Sequence, residues 1–593
     1  MKKILRLFLI GLAALSVVSC NYLDVVPDET PTESDAFEDE KAAERFIYGC
    51  YGAMQKERLM ILTSGEVICS FDSMLSMALG NTYTAANPSY FNMWSRWYGV
   101  IRRCYILLNN IDNVPGMNEQ DIKYYKGEAK FLIAYHHFLL MRAYGPIIIA
   151  DRLFDASMSA ADMPGRSTLD ECVEFITKTF DEAAEDLPVT WKASSFGRAT
   201  KVAALAFKAK TLVYAASPLF NGNSKFYSNL VDGSGNHLMP LEYDKEKWTK
   251  ATAACKAATE AAEAAGIELY YGTPSSTYPE PSDPVEFRCR MNFIDPQNNE
   301  VIWADTRSED YYDYQNSCTP RHPDYGDPSW NAYSPTWRTV KMFYTENGLP
   351  IDEDPKYIKE ADYFKTNSHV AAIHMNREPR FNAWIGYHYG YYEMARGDDT
   401  KVQLMLRGDD EHGLGNRTRN YSITGYLVKK GVGPRYCTEQ DGIQDNYPWP
   451  LMRLADLYLL YAEASIESND LQTGMTYLNK VRRRAGIPDV ETSWKGIATL
   501  DQSKLREIVR RERCIEMFNE GQYFWDVRRW LMAEDIYSHD PEGLNIAGKT
   551  DTDFYQVVTI GANWRFKSPT NYLWPIKQRE ININGKLVQN PGY

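Results

Sequence analysis

Helical periodicity runs through this chain in two blocks, and between them, from 267 to 448, it collapses into Pro, Gly, Asp, Asn and Tyr. That pattern constrains the fold more than any other feature. Apolar residues that recur three and four positions apart bury themselves by packing helix on helix, so the blocks read as a mainly α scaffold and the middle as a long irregular, loop-rich insertion. The first block predicts helices over 42–55, 94–111, 119–144, 169–187, 201–216 and 246–265, and the second over 453–468, 471–485 and 504–532. Thr168 and Glu171 have the spacing of a capping box, Gly266 follows an Ala-rich run where a C-terminal cap belongs, and Gly486 with Pro488 closes the helix before it. Paired helices with Ala at their contacts read as a tetratricopeptide-like helical-repeat scaffold, although a strict 34-residue repeat is not visible. So long a non-helical stretch is expected to be functional.

The N-terminus sets the compartment. Lys2, Lys3 and Arg6 precede an apolar run from Leu7 to Val18, and Ser19 stands before Cys20. This is the pattern of a signal peptide over 1–19, too short to span a bilayer, which takes about 20 apolar residues. Val17-Val18-Ser19-Cys20 resembles a bacterial lipobox, which makes Cys20 the expected lipidation site and 20–37 a lipidated tether. The remaining chain divides into an N-terminal helical-repeat part (38–266), an irregular ligand-binding insertion (267–448), a C-terminal helical part (449–533) and a C-terminal irregular segment (534–593).

Charge and motifs narrow the chemistry. Removing Lys2, Lys3 and Arg6 with the leader takes the net charge from −14 to −17, which argues against nucleic acid as a partner. The ten Cys include no CxxC pair, and with Cys20 lipidated an odd number remains, so no disulfide framework is expected; Cys104 and Cys514 read as small buried side chains. Gly543 to Thr550 matches the P-loop pattern letter for letter, but Pro541 precedes it and Asp551 and Asp553 follow, an acidic turn-rich setting that repels phosphate. His136 and His137 are adjacent and point apart on a helix, and His369 and His374 lack ligand spacing, so no metal and no cofactor is expected. Glycoside hydrolysis needs a separated acid and base. The densest acidic helix instead interleaves Glu512, Glu516 and Glu520 with Arg510, Arg511 and Arg513, which reads as ion pairs that lock helices together, so no catalytic residue is assigned.

Aromatic residues carry the binding hypothesis. Forty-one Tyr and 14 Trp are more than a core alone calls for, and sugars present weakly apolar faces that stack on rings beside polar groups. Two irregular stretches supply both. One runs from 72 to 90 with Asp72, Asn81, Tyr83 and Asn87; the other runs from 311 to 337 with Tyr312, Tyr314, Arg321, Tyr325, Trp330, Tyr333 and Trp337. Trp94, Tyr98 and Trp337 adjoin helical runs and are expected to be structural, whereas turn formers surround Tyr83 and Trp330 and leave few neighbours to bury them.

Several segments resemble the SusD/RagB family. They include Asn21-Tyr22-Leu23-Asp24 before Pro27, Glu128-Ala129-Lys130-Phe131-Leu132 through Tyr144-Gly145, Gly197-Arg198-Ala199-Thr200-Lys201 and Arg377-Glu378-Pro379-Arg380-Phe381. Arg453 to Ala464, Asn479 to Arg482, Glu512 to Trp530 and the closing Gln589-Asn590-Pro591-Gly592-Tyr593 continue the resemblance in order. The chain departs from the pattern at Ile133 and Gln522, where Arg is usual, and at Pro146. The resemblance implies a non-catalytic lipoprotein on the outer-membrane surface that binds an oligosaccharide and passes it to a SusC-like TonB-dependent transporter. One alternative keeps the scaffold and binds peptides, as in the RagB branch; another is a secreted glycosidase.

Overall fold

The computed structural model describes residues 33, 35–56, 58–70, 82–296, 298–307, 311–321, 329–396, 398–436 and 446–593. The first periodic block becomes α1 (Glu40–Gly52), α2 (Trp94–Asn110), α3 (Glu119–Tyr144), α4 (Leu169–Asp186), α5 (Lys201–Ala216) and α6 (Glu246–Ala264). Local chemistry sets their ends. Thr168 and Glu171 form the capping box at the start of α4, and Gly266 takes φ of +78° just past α6, a conformation that costs glycine little. The second block gives α7 (Leu454–Glu467), α8 (Leu471–Arg484) and α9 (Gln502–Glu516). Here one expectation fails. The helix predicted over 504–532 breaks after Glu516 and resumes as α10 (Tyr523–Arg529), because Asn519 and Gly521 adopt left-handed φ of +59° and +82°.

The scaffold is a stack in which each helix packs on the next: α2 on α3, α3 on α4, α4 on α5, α5 on α6, and α6 on α7, which also packs on α8 and α9. Small residues let α5 and α6 approach, with Ala203, Ala206, Ala251 and Ala258 fully buried. Because α6 packs on α7, the stack is continuous even though the insertion separates the two in sequence. Cys104 and Cys514 are buried thiols, as expected. Two departures from the family pattern find local substitutes. Gln522 accepts from the buried Lys210 amine at 2.8 Å, and Ile133 is buried among apolar neighbours.

The insertion holds short helices at Pro284–Met291, Tyr311–Cys318, Trp337–Met342 and Pro379–Trp384, and every sheet among the described residues has two strands. Two devices fix it to the scaffold. The strand Val301–Asp305 pairs antiparallel with Trp449–Arg453, and the Trp303 ring stands edge-on to Phe131, Tyr135 and Phe207 at 4.8, 4.9 and 5.5 Å, wedged between α3 and α5. A buried charge network supplies the second. Arg380, Lys430, Arg453, Arg482 and Arg484 face Glu300, Glu378, Glu512, Glu516 and Glu520, all with side chains at most 2% exposed. Glu512 and Glu516 of α9 do form ion pairs, but their partners come from the insertion, from the strand Trp449–Arg453 and from α8, and not from Arg510, Arg511 and Arg513 beside them.

The Gly543 to Thr550 segment belongs to a small hairpin in which Glu542–Leu544 pairs with Val557–Thr559. The Gly548 amide donates to Asn545 O and the Gly548 carbonyl accepts from Gly408, so this loop is closed on its own structure and forms no phosphate cradle. His136 and His137 are buried in α3, where each ring Nδ1 bonds the carbonyl one turn back and burial holds both pKa values down to about 4.

Candidate functional site

The second aromatic stretch includes a short strand that pairs with residues just ahead of the first. Val67–Ile68 pairs antiparallel with Ser334–Pro335 in one short ladder. Glu66 reinforces the junction: its carbonyl accepts from Thr336 N at 3.0 Å and from Thr339 Oγ1 at 2.8 Å.

From this ladder the second stretch doubles back on the helix Tyr311–Cys318. Trp330 N donates to Asn316 O, Asn331 N to Thr319 O, and Ala332 N and Tyr333 N both to Ser317 O, at 2.8 to 3.1 Å. Asn331 adopts φ of +49°, as Asn tolerates, and its amide donates to His412 O at 2.9 Å. Arg321 Nη2 donates to Glu411 O at 2.9 Å. Two walls therefore meet, one from 314–321 with 329–333 and one from the turn around 405–421. Trp330 packs one side against the core and is only partly buried, and Arg321 is half-buried nearby in the chain. An indole and a guanidinium in one stretch are the residue types that can stack on and hydrogen-bond a hydroxyl-rich ring.

The other sequence candidates divide by burial. Tyr83 was expected to stand free, but it is 3% exposed: its ring meets Phe91 at 4.7 Å, and its hydroxyl accepts from Asn571 Nδ2 at 2.8 Å. The cover comes from the C-terminal segment, which a count of sequence neighbours does not include. Tyr314 and Tyr333 are also interior. Their rings are 5.9 Å apart, Tyr314 donates to Lys430 O at 2.6 Å, and Tyr333 O accepts from Val428 N, so neither offers a ring face to a ligand. Trp94 and Trp337 are buried and Tyr98 donates to Ile148 O, in keeping with structural roles. Cys20, Asp72, Asn81 and Tyr325 lie outside the described residues, as does the side chain of Tyr312. Sequence reading missed the 405–421 wall. Its run of Gly, Asp and Asn signals turns, and nothing local says that the turns face Arg321 and Asn331.

Glu66 sits beneath the junction. Its carboxyl accepts from Asn519 N at 3.4 Å through Oε1, while Oε2 is buried without a hydrogen-bond partner among the described residues. Burial dominates its ionisation and pushes the pKa up to about 8, against the pull of the Asn519 amide and Lys430. The ten charges of the adjoining network are balanced five against five, so an ionised Glu66 would be a sixth anion without a cation of its own. Among the described residues no group of three or more His, Cys, Asp or Glu is placed to hold a metal ion.

The comparisons with known proteins agree with one another. The model of the SusD family matches residues 299–593, and that of a family described as starch-binding, associating with outer membrane, matches residues 21–213. SusD-like protein P38 of Formosa agariphila is 20% identical over 600 residues, covering 99% of this chain and 98% of its own. The solved structure of BT4246 shares 30% identity at a TM-score of 0.85, over 94% of this chain and 100% of that one. A SusD-like protein from Bacteroides fragilis superposes with a TM-score of 0.75 at 24% identity, covering 95% and 99% of the two chains. A laminarin-binding SusD-like protein shares the fold at 17% identity and a TM-score of 0.57, over 94% and 100%.

Proposed function

Because this chain belongs to the SusD family, we propose that it is a non-catalytic lipoprotein of the outer-membrane surface that captures an oligosaccharide and hands it to a SusC-like TonB-dependent transporter. The observation that supports the ligand class is the packing of the stretch that holds Arg321 and Trp330 against the turn around 405–421, with Trp330 only partly buried at the edge of the core. Asp72, Asn81 and Tyr312 remain sequence-based candidates for the same rim. The laminarin-binding neighbour provides a precedent for a glycan ligand on this fold. The best candidate carboxylates for hydrolysis, Glu512 and Glu516, are fully buried and paired with arginines, which favours binding over catalysis. No helix among the described residues is long and apolar enough to cross a membrane, so the proposed attachment rests on acylated Cys20.

Titration calorimetry against a panel of oligosaccharides and peptides tests the ligand class. Saturable binding of oligosaccharides is expected; binding of peptides alone, or release of shortened sugars over time, would overturn it. Trp330→Ala is expected to weaken that binding by about 1–3 kcal/mol, the usual loss of an anchoring aromatic, with little change in Tm. Tyr83→Ala serves as the contrast, because this ring is interior and its loss should appear as reduced stability. Cys20→Ala is expected to shift the protein out of the membrane fraction or leave its leader uncleaved. Unchanged membrane association of a processed Cys20→Ala chain would refute the anchor.

A further inference from the structure

The ladder at residues 67–68 and 334–335 has a second side. Gly65 and Thr336 line a groove of about 1160 Å³ that runs between the helix Trp337–Met342, α9 and the segment around 350–363; Trp330 and Arg321 do not line it. Arg338 and Lys341 lie three residues apart on the short helix and so share a face, and Arg510 and Arg511 contribute from α9. Arg511 donates to the carbonyls of Met342 and Lys341 at 3.0 and 3.2 Å, which brings its guanidinium to the end of the helix that carries Lys341. None of these four cations makes an ion pair among the described residues, and Arg510 Nε is buried without an acceptor. The contrast within the groove is sharp. Lys504 is paired with Glu353 and Glu507, and Arg506 with Glu467.

We propose that this groove is a second binding site, separate from the Trp330 rim, for a carboxylate-bearing oligosaccharide. Cations that make no ion pair among the described residues can draw in an anion, even though the chain as a whole is strongly negative. The carboxylates that share the groove select which anion. Asp352, Glu360 and Glu542 are exposed there and unpaired among the described residues. A polyphosphate or nucleic acid presents charge along its length and meets those carboxylates as repulsion. A chain of uronic acids presents one carboxylate and several hydroxyls per ring, so the cations take the carboxylates while Asp352, Glu360 and Glu542 accept from hydroxyls. The groove also exceeds the roughly 300–1,000 Å³ of ordinary small-molecule pockets, which suits an oligomer.

Calorimetric titration of the whole chain in detergent with tetragalacturonate tests this. Saturable binding that weakens with added salt is expected. The Arg338→Gln, Lys341→Gln double variant should lose about tenfold or more in affinity, the scale of charge-assisted hydrogen bonds, at nearly unchanged Tm because neither side chain makes an ion pair among the described residues. Lys341→Arg should retain binding, and Trp330→Ala should leave it unchanged. No saturable binding at millimolar concentration, or equal affinity in the double variant, would overturn the groove. Loss of tetragalacturonate binding in Trp330→Ala would also overturn it while leaving the rim as the site of the function proposed above.

Discussion

Glu516→Ala is expected to cost the native state about 3–5 kcal/mol, the range for breaking a buried ion pair from one side. Glu516 receives Arg453 Nη1 at 2.7 Å, Arg380 Nη1 at 3.0 Å and Arg484 Nη2, and its carbonyl accepts from Lys430 at 2.8 Å. Burial alone would raise its pKa, but the three guanidiniums and Lys430 more than offset that and hold the carboxyl well below the usual range. Deleting it leaves three guanidiniums buried with one carboxylate fewer between them. The damage should be directed, because Arg380 comes from the insertion, Arg453 from the strand before α7 and Arg484 from α8. Chemical denaturation followed by tryptophan fluorescence measures the loss, and ligand binding should fail along with it. Glu507→Ala, on the exposed face of the same helix where Glu507 meets Lys504 at 3.2 Å, should change stability by less than about 0.5 kcal/mol. Similar losses in the two variants would show that the network does not hold the insertion in place.

Glu66→Gln is expected to stabilise the protein, and by an amount that depends on pH. Below about pH 4.5 the folded and unfolded chains both hold the Glu66 proton, and the variant should match the parent. Between about 4.5 and 8 the unfolded chain releases the proton while the native site keeps it, so the parent loses stability by about 1.4 kcal/mol per pH unit from this group. At pH 7 the gap reaches about 3 kcal/mol in favour of Gln, and above 8 it levels off. The neutral amide fits where a neutral carboxyl already sits with Oε2 unpartnered. Paired denaturation curves at pH 5 and pH 8 decide the matter: a difference that does not grow with pH would mean that Glu66 is ionised in the native state.

Several elements were legible in the residues because the physics behind them is local. The periodicity placed α3 at Glu119–Tyr144 and α5 at Lys201–Ala216, and the Thr168–Glu171 cap and the Gly266 stop could be read directly, since each depends on residues within one turn. The break between α9 and α10 was missed because Asn519 and Gly521 sit inside a run whose charges and apolar residues keep helical spacing. The landmarks of the family were readable for the same local reason, and with them the helical scaffold and its irregular insertion.

The proposed binding rim was only half legible. Composition pointed to the stretches that hold Tyr83 and Trp330, and both looked equally open among their turn formers. Tertiary packing alone separated them. Asn571, 488 positions away, closes over Tyr83, whereas Trp330 is backed by the core on one side and left partly uncovered. Charge followed the same rule. That Glu512, Glu516 and Glu520 would be paired could be inferred from alternating signs on one helix. That Arg380, Arg453, Arg482 and Arg484 would be the partners could not, because burial strengthens a charge's hold on whatever opposite charge the fold brings within reach, and sequence distance does not enter that energy.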